Sequence, residues 1–125
     1  MLTYVRYAYC MLSQQHRFHG HGGLRYLYRA GKTARTRNFL LRYVPNTTRL
    51  HSRVTVIVSK KTAKSAARRN RMRRRVYEII RGEWEQLQHA HDISITVYSA
   101  EVQFIEHEKL VAELKQLLST ARLYK

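Results

Sequence analysis

Between Val58 and Arg81 the sequence reads VSKKTAKSAARRNRMRRRVYEIIR, where ten of the 24 residues are Lys or Arg and a single one, Glu78, is acidic. Guanidinium groups are planar, permanently charged forks that grip phosphate oxygens in pairs and can stack on bases. Arginines on successive helical turns can follow a phosphate backbone. Asn70, set between Arg69 and Arg71, can read a base edge or a 2′-hydroxyl beside it. No acid stands within i±4 of the N-terminal half of this run, so it has no helical ion-pair partner of its own. The candidates for polyanion contact are therefore Lys60, Lys61, Arg68, Arg69, Asn70, Arg71, Arg73 and Arg74.

Aromatic and basic residues interleave at Arg25-Tyr26-Leu27-Tyr28-Arg29 and at Phe39-Leu40-Leu41-Arg42-Tyr43. Such rings can stack on unpaired bases; they can equally be core. For Phe39 the core is the stronger reading. For Tyr28, Arg42 and Tyr43 it is the surface. His16, His19 and His21 fall on a Gly-rich stretch with no fourth ligand at a metal-site spacing, and partial positive charge is the expected role. His89 and His91 flank a helix end and read as structural. The sequence has no G-x-S-x-G, no phosphate-binding Gly loop before a helix and no Cys/His pair with a helpful acid. Neither catalytic nor metal-ligating residues are expected.

A chain of 125 residues with 44% hydrophobic content suffices for one domain with a real core. The net charge of +16 is unevenly spread. Nineteen of the 24 Lys and Arg residues precede Glu78, and all eight Asp and Glu residues lie at or after it. One part of the fold is thus built to meet a polyanion, nucleic acid before anionic membrane. Cys10 is the only cysteine, which excludes an intramolecular disulfide and fits a reducing compartment. No run of 18 apolar residues occurs, so no spanning helix is expected. Residues 1–10 read as a disordered extension with no signal-peptide pattern, and residues 11–125 as the domain.

The elements that position the charged run follow from periodicity. Leu24, Leu27 and Tyr28 share a helical face that Gly31 ends. Strands are predicted over 37–44 and 53–59, the second from Val54, Val56 and Val58, and the short connection between them suggests an antiparallel pair. The basic helix is predicted from about Ala63 to Leu87. Its narrow apolar stripe is Met72, Val76, Ile79 or Ile80, and Leu87, with Trp84 alongside. Lys64, Arg68, Arg71 and Arg75 lie on one flank; Asn70, Arg74, Tyr77 and Arg81 lie on the far side. Gly82 marks a bend or an early end. A third strand covers 92–98, and a helix over 103–118 buries Leu110, Val111, Leu114, Leu117 and Leu118. The order α-β-β-α-β-α is that of a mixed α+β sandwich.

Val58-Ser59-Lys60-Lys61, followed after a spacer by Arg69-Asn70-Arg71-Met72-Arg73-Arg74 entering a helix, resembles the protein subunit of bacterial ribonuclease P. Arg17-Phe18, a short helix ending in Tyr28 and Gly31, and Asn38-Phe39-Leu40-Leu41 in a strand match less specifically. The resemblance covers about residues 11 to 118. It implies a single-domain α-β-β-β-α-β-α sandwich like domain 2 of ribosomal protein S5. That fold has a four-stranded mixed sheet, with an extra strand near Lys32 to Arg35. It also implies a left-handed βαβ crossover, against the general rule of handedness. Members of that family bind a large catalytic RNA and help it remove the 5′ leader of precursor tRNA, while the RNA with its Mg²⁺ performs the hydrolysis. The expected partners are accordingly that RNA and precursor tRNA, in the cytoplasm, with one protein monomer per RNA and no membrane.

By position, Arg69, Asn70, Arg71, Arg73 and Arg74 would face the catalytic RNA or the first leader nucleotides, and Tyr28, Phe39, Arg42 and Tyr43 would line or border a leader cleft. Leu24 and Arg42 stand where relatives carry aromatics, so phosphate contact would replace part of the stacking. The alternative is a structural RNA-binding protein of the ribosome or its assembly.

Overall fold

A computed structural model describes residues 27–45, 52–88 and 91–125. The expectations for the extension 1–10, for His16, His19 and His21, for Leu24 and for His89 lie outside the described residues.

The described chain opens with helical residues 27–30 (α1). Gly31 follows, its N–H bonded to the Leu27 carbonyl at 2.8 Å. A Cβ at Gly31 would sit 2.4 Å from that carbonyl, so the turn into the sheet accepts only glycine. Four strands follow: β1 (Lys32–Arg35), β2 (Phe39–Pro45), β3 (Arg53–Val58) and β4 (His91–Val97). The long helix α2 (Ala66–Glu83) joins β3 to β4, and α3 (His107–Thr120) closes the fold. The order α-β-β-β-α-β-α is observed, with the extra strand at Lys32–Arg35.

The sheet order is β1-β2-β4-β3. β2 pairs antiparallel with β1 and β4, whereas β3 and β4 run parallel. The expected β2–β3 pair is therefore not made. β4 lies between them, and the connection between Pro45 and Arg53 spans two strand spacings, roughly 10 Å. A run of that length also suits a hairpin, so its length does not tell the two arrangements apart.

Alternation sorts the side chains. Phe39, Leu41, Val54, Val56, Val58, Ile93, Ile95 and Val97 are buried in one core with Met72, Val76, Ile79 and Ile80 of α2 and Leu110, Leu114, Leu117 and Leu118 of α3. Both long helices therefore cover the same sheet face. On the opposite face Leu27 of α1 packs with Val44 in a small separate cluster.

α2 is shorter than predicted. Ser65 caps it, accepting from the Arg68 N–H at 3.4 Å, and it ends at Glu83, one residue past Gly82. A 3₁₀ turn, Trp84–Gln86, carries buried Leu87 into the core. Tyr77 is not on an outward side: its hydroxyl accepts from the Val56 N–H at 3.1 Å. That bond caps a backbone donor on β3, an edge strand. The predicted start of α3 at 103 is also corrected. Ala100–Gln103 is a separate 3₁₀ turn capped by Ser99, which buries Val102 before α3 begins.

Glu113 of α3 locks the β1–β2 connection. Its carboxylate accepts from the Thr36 hydroxyl (2.6 Å), the Asn38 N–H (3.0 Å) and the Asn38 amide (2.8 Å). The chain end is fixed as well. Arg122 adopts φ 58° just past α3. The Leu123 and Arg122 N–H groups return to the Leu118 and Ser119 carbonyls at 3.1 and 2.9 Å, a Schellman stop.

Candidate nucleic-acid interface

Met72, Val76, Ile79 and Ile80 bind α2 to the sheet, and everything outside that stripe is free to carry charge. Lys60 and Lys61 are exposed in the turn after β3; Arg68, Asn70, Arg71 and Arg74 are exposed on the first turns of α2. The Lys60-Lys61 turn is itself built: the Thr62 hydroxyl donates to the Val97 carbonyl at 3.2 Å, holding it against the end of β4.

Among the described residues, ion pairs join Arg37 to Glu101, Arg53 to Asp92 and Lys115 to Glu83. None involves the eight candidate residues. The first turn of α2 holds no acid, and Arg68 and Arg69 stand at the positive end of the helix dipole. Both effects are unfavourable in the isolated protein, and a polyanion laid along α2 relieves both.

The arginines are not equivalent. Arg69 is half-buried, and its Nη1 donates to the Ala63 and Lys64 carbonyls at 2.9 and 2.8 Å, closing the loop before α2. Arg73 donates to the Asn70 side-chain oxygen. That bond fixes the Asn70 amide and leaves its NH₂ to donate outward. Arg75 turns inward, bonding the Val102 and Ile105 carbonyls through Nη1 and Nη2 at 2.5 and 2.6 Å. It is a clamp between α2 and the turn before α3.

The four aromatic-cleft candidates divide between the two sheet faces. Phe39 is fully buried in the main core, and Tyr43 packs against that core from the same side. Neither ring faces the α1 side, because residues 39, 41 and 43 share a face and 40, 42 and 44 take the other. Phe39 and Tyr43 therefore do not share a face with Arg42. Tyr28 and Arg42 do meet on the α1 side, with the Arg42 guanidinium carbon 4.7 Å from the Tyr28 ring centroid, a cation–π contact. Tyr28 remains 46% exposed, so one ring face is open to stacking.

Beneath them lies a row that sequence reasoning missed. Thr33, Arg42, Ser94 and Thr55 are partners across all four strands and share the α1-side face. Two polar atoms in this row, Arg42 Nε and Ser94 Oγ, are buried with no hydrogen-bond partner. Ser94 itself is fully buried. The available signal was the Ser94/Thr96 alternation within DISITVY, which marks a polar back to the strand. Register is what aligned it with Arg42.

Among the described residues no three His, Cys, Asp or Glu side chains come together as metal ligands. No described helix is long and apolar enough to cross a membrane.

The family described as Ribonuclease P matches residues 12–122. A ribonuclease P protein component from Synechocystis sp. is 33% identical over 95 residues, which cover 76% of each chain. The solved RNase P protein of Staphylococcus aureus superposes with a TM-score of 0.78 at 21% identity, covering 88% of this chain and 98% of its own. The Thermotoga maritima RNase P protein gives 0.74 at 21% identity, covering 83% and 96%.

Proposed function

The chain belongs to the ribonuclease P protein family, and from that premise we propose that it binds a catalytic RNA and the 5′ leader of precursor tRNA, assisting removal of the leader to give the mature tRNA 5′ end. The RNA subunit and its bound Mg²⁺ supply the hydrolysis. The protein supplies charge and shape. Lys60, Lys61, Arg68, Asn70, Arg71 and Arg74 contact phosphates of the RNA, with Arg69 and Arg73 ordering the loop and Asn70 beside them. Tyr28 and Arg42 border the leader. By lowering repulsion between two polyanions, the basic face improves leader binding and metal occupancy in the RNA. One protein monomer pairs with one RNA in the cytoplasm.

The observation that carries this reading is the basic face of α2. Its exposed cations lack carboxylate partners among the described residues, on a helix anchored by a buried stripe. The test is recovery of RNA bound to the tagged full chain in its own cells. One dominant structured RNA that cleaves precursor tRNA when recombined with the protein is expected. Recovery of ribosomal RNA in its place would favour a structural role in the ribosome.

A further inference from the structure

Phe104 is the most exposed large hydrophobic residue among those described, at 77% of its surface. It does not sit on a loose loop. Its N–H and that of Ile105 bond the Glu101 carbonyl at 2.8 and 3.1 Å. Val102 is fully buried on one side and Ile105 packs against the core on the other. The Arg75 guanidinium bonds the carbonyls of both these flanking residues. The backbone is thus pinned before and after the ring, and the ring is left in solvent.

The clamp comes from the basic helix. Arg68, Arg71 and Arg75 follow one another at i, i+3 and i+7 on one flank of α2, and Arg75 ends that flank at the Phe104 turn. The ring therefore continues the arginine row as part of the same rigid unit. Glu106 and Glu108 open α3 just beyond it. They repel phosphate there, so a strand reaching the ring approaches along α2. The helix layer also lies on the sheet face opposite Tyr28 and Arg42. A nucleotide at Phe104 thus belongs to the RNA that lies on α2, not to a leader on the α1 side.

We propose that Phe104 is a base-stacking site for an unpaired nucleotide of the catalytic RNA, presented by Arg75 at the end of the α2 arginine row. A ring carried on a pinned backbone has only its two side-chain torsions to give up when a base stacks on it. The inference rests on the RNA-binding reading above and adds a contact to it.

The test uses the full chain and the ribonuclease P RNA transcribed from the same genome, with affinity measured across a salt series. Phe104→Ala is expected to weaken binding by about 5- to 150-fold, the usual range for one stacked base, with the salt slope unchanged. Phe104→Trp is expected to keep wild-type affinity. Arg71→Ala is the control: it should weaken binding and flatten the slope by about 1. If Arg71→Ala has its effect and Phe104→Ala binds as wild type, the stacking site is refuted while RNA binding by α2 stands. If neither variant changes affinity, both readings fall. A loss in Phe104→Ala that Phe104→Trp shares also overturns the proposal, because a larger ring should stack at least as well.

Discussion

Arg71 and Arg75 stand one turn apart in the same basic run, yet their replacement by alanine should have opposite consequences. Arg75 makes two short bonds, at 2.5 and 2.6 Å, to the Val102 and Ile105 carbonyls. Hydrogen bonds from a charged donor contribute roughly 1.5–3 kcal/mol each. Two of them, reduced for water that can enter at this half-buried site, give about 2–4 kcal/mol for Arg75→Ala. For a domain of this size that corresponds to a Tm lower by about 8–15 °C. Arg71 is exposed and touches no carboxylate, so Arg71→Ala should stay within about 0.5 kcal/mol of wild type. Arg75→Lys should fall between them, since one ammonium cannot span both carbonyls as a fork does. Urea and thermal unfolding of the three variants in parallel decide the matter. Equal stability of Arg71→Ala and Arg75→Ala would refute the clamp, and with it the division of the arginines into structural and contacting groups.

Three further outcomes follow from particular contacts. Ser94→Ala removes a fully buried hydroxyl that has no partner; it should raise the stability of the free protein by about 1 kcal/mol, read as a higher urea midpoint. Arg122 holds φ 58°, where a Cβ is strained; Arg122→Gly should be stabilising by up to about 1 kcal/mol, read as a higher urea midpoint, because glycine's extra unfolded freedom offsets part of the relief. The Tyr124 hydroxyl donates to Glu83 at 2.8 Å, and burial, then that bond and the Glu83 charge, push its pKa above the ordinary 10.0. A raised folded pKa means the contribution is complete below the unfolded value and is lost as pH rises through and beyond it. Wild type should therefore lose stability above about pH 10 more steeply than Tyr124→Phe in alkaline unfolding curves.

Much of the architecture could be read in the chain because local pattern and final environment agree. Val54, Val56 and Val58 alternate in sequence and all three are buried. Met72, Val76, Ile79 and Ile80 recur at helical spacing and form the buried face of α2. Gly82 foretold the early end. What escaped was settled by partners far along the chain. The place of β4 between β2 and β3 depends on pairing with residues about 40 positions away or more, as Arg53 with Asp92 and Tyr43 with Ile93. In sequence Arg75 is one more arginine; only the turn before α3 makes it a clamp. The side of β2 that faces the helices was likewise open, although alternation had already placed Phe39 and Tyr43 together and Arg42 opposite. Strand β1 offers one buried residue, Ala34, and no periodicity of its own, so only family resemblance could place it.

The central claim is that the exposed arginines of α2 hold the RNA enzyme and its substrate together. Its most direct test is precursor-tRNA cleavage at low Mg²⁺ by the full chain carrying Arg71→Ala and Arg74→Ala, recombined with the ribonuclease P RNA of the same source. The two substitutions should leave Tm unchanged and reduce the salt slope of RNA binding by about 2. Cleavage should slow sharply at low Mg²⁺ and recover as Mg²⁺ is raised. Cleavage at the wild-type rate in low Mg²⁺, with the double variant folded, would contradict it.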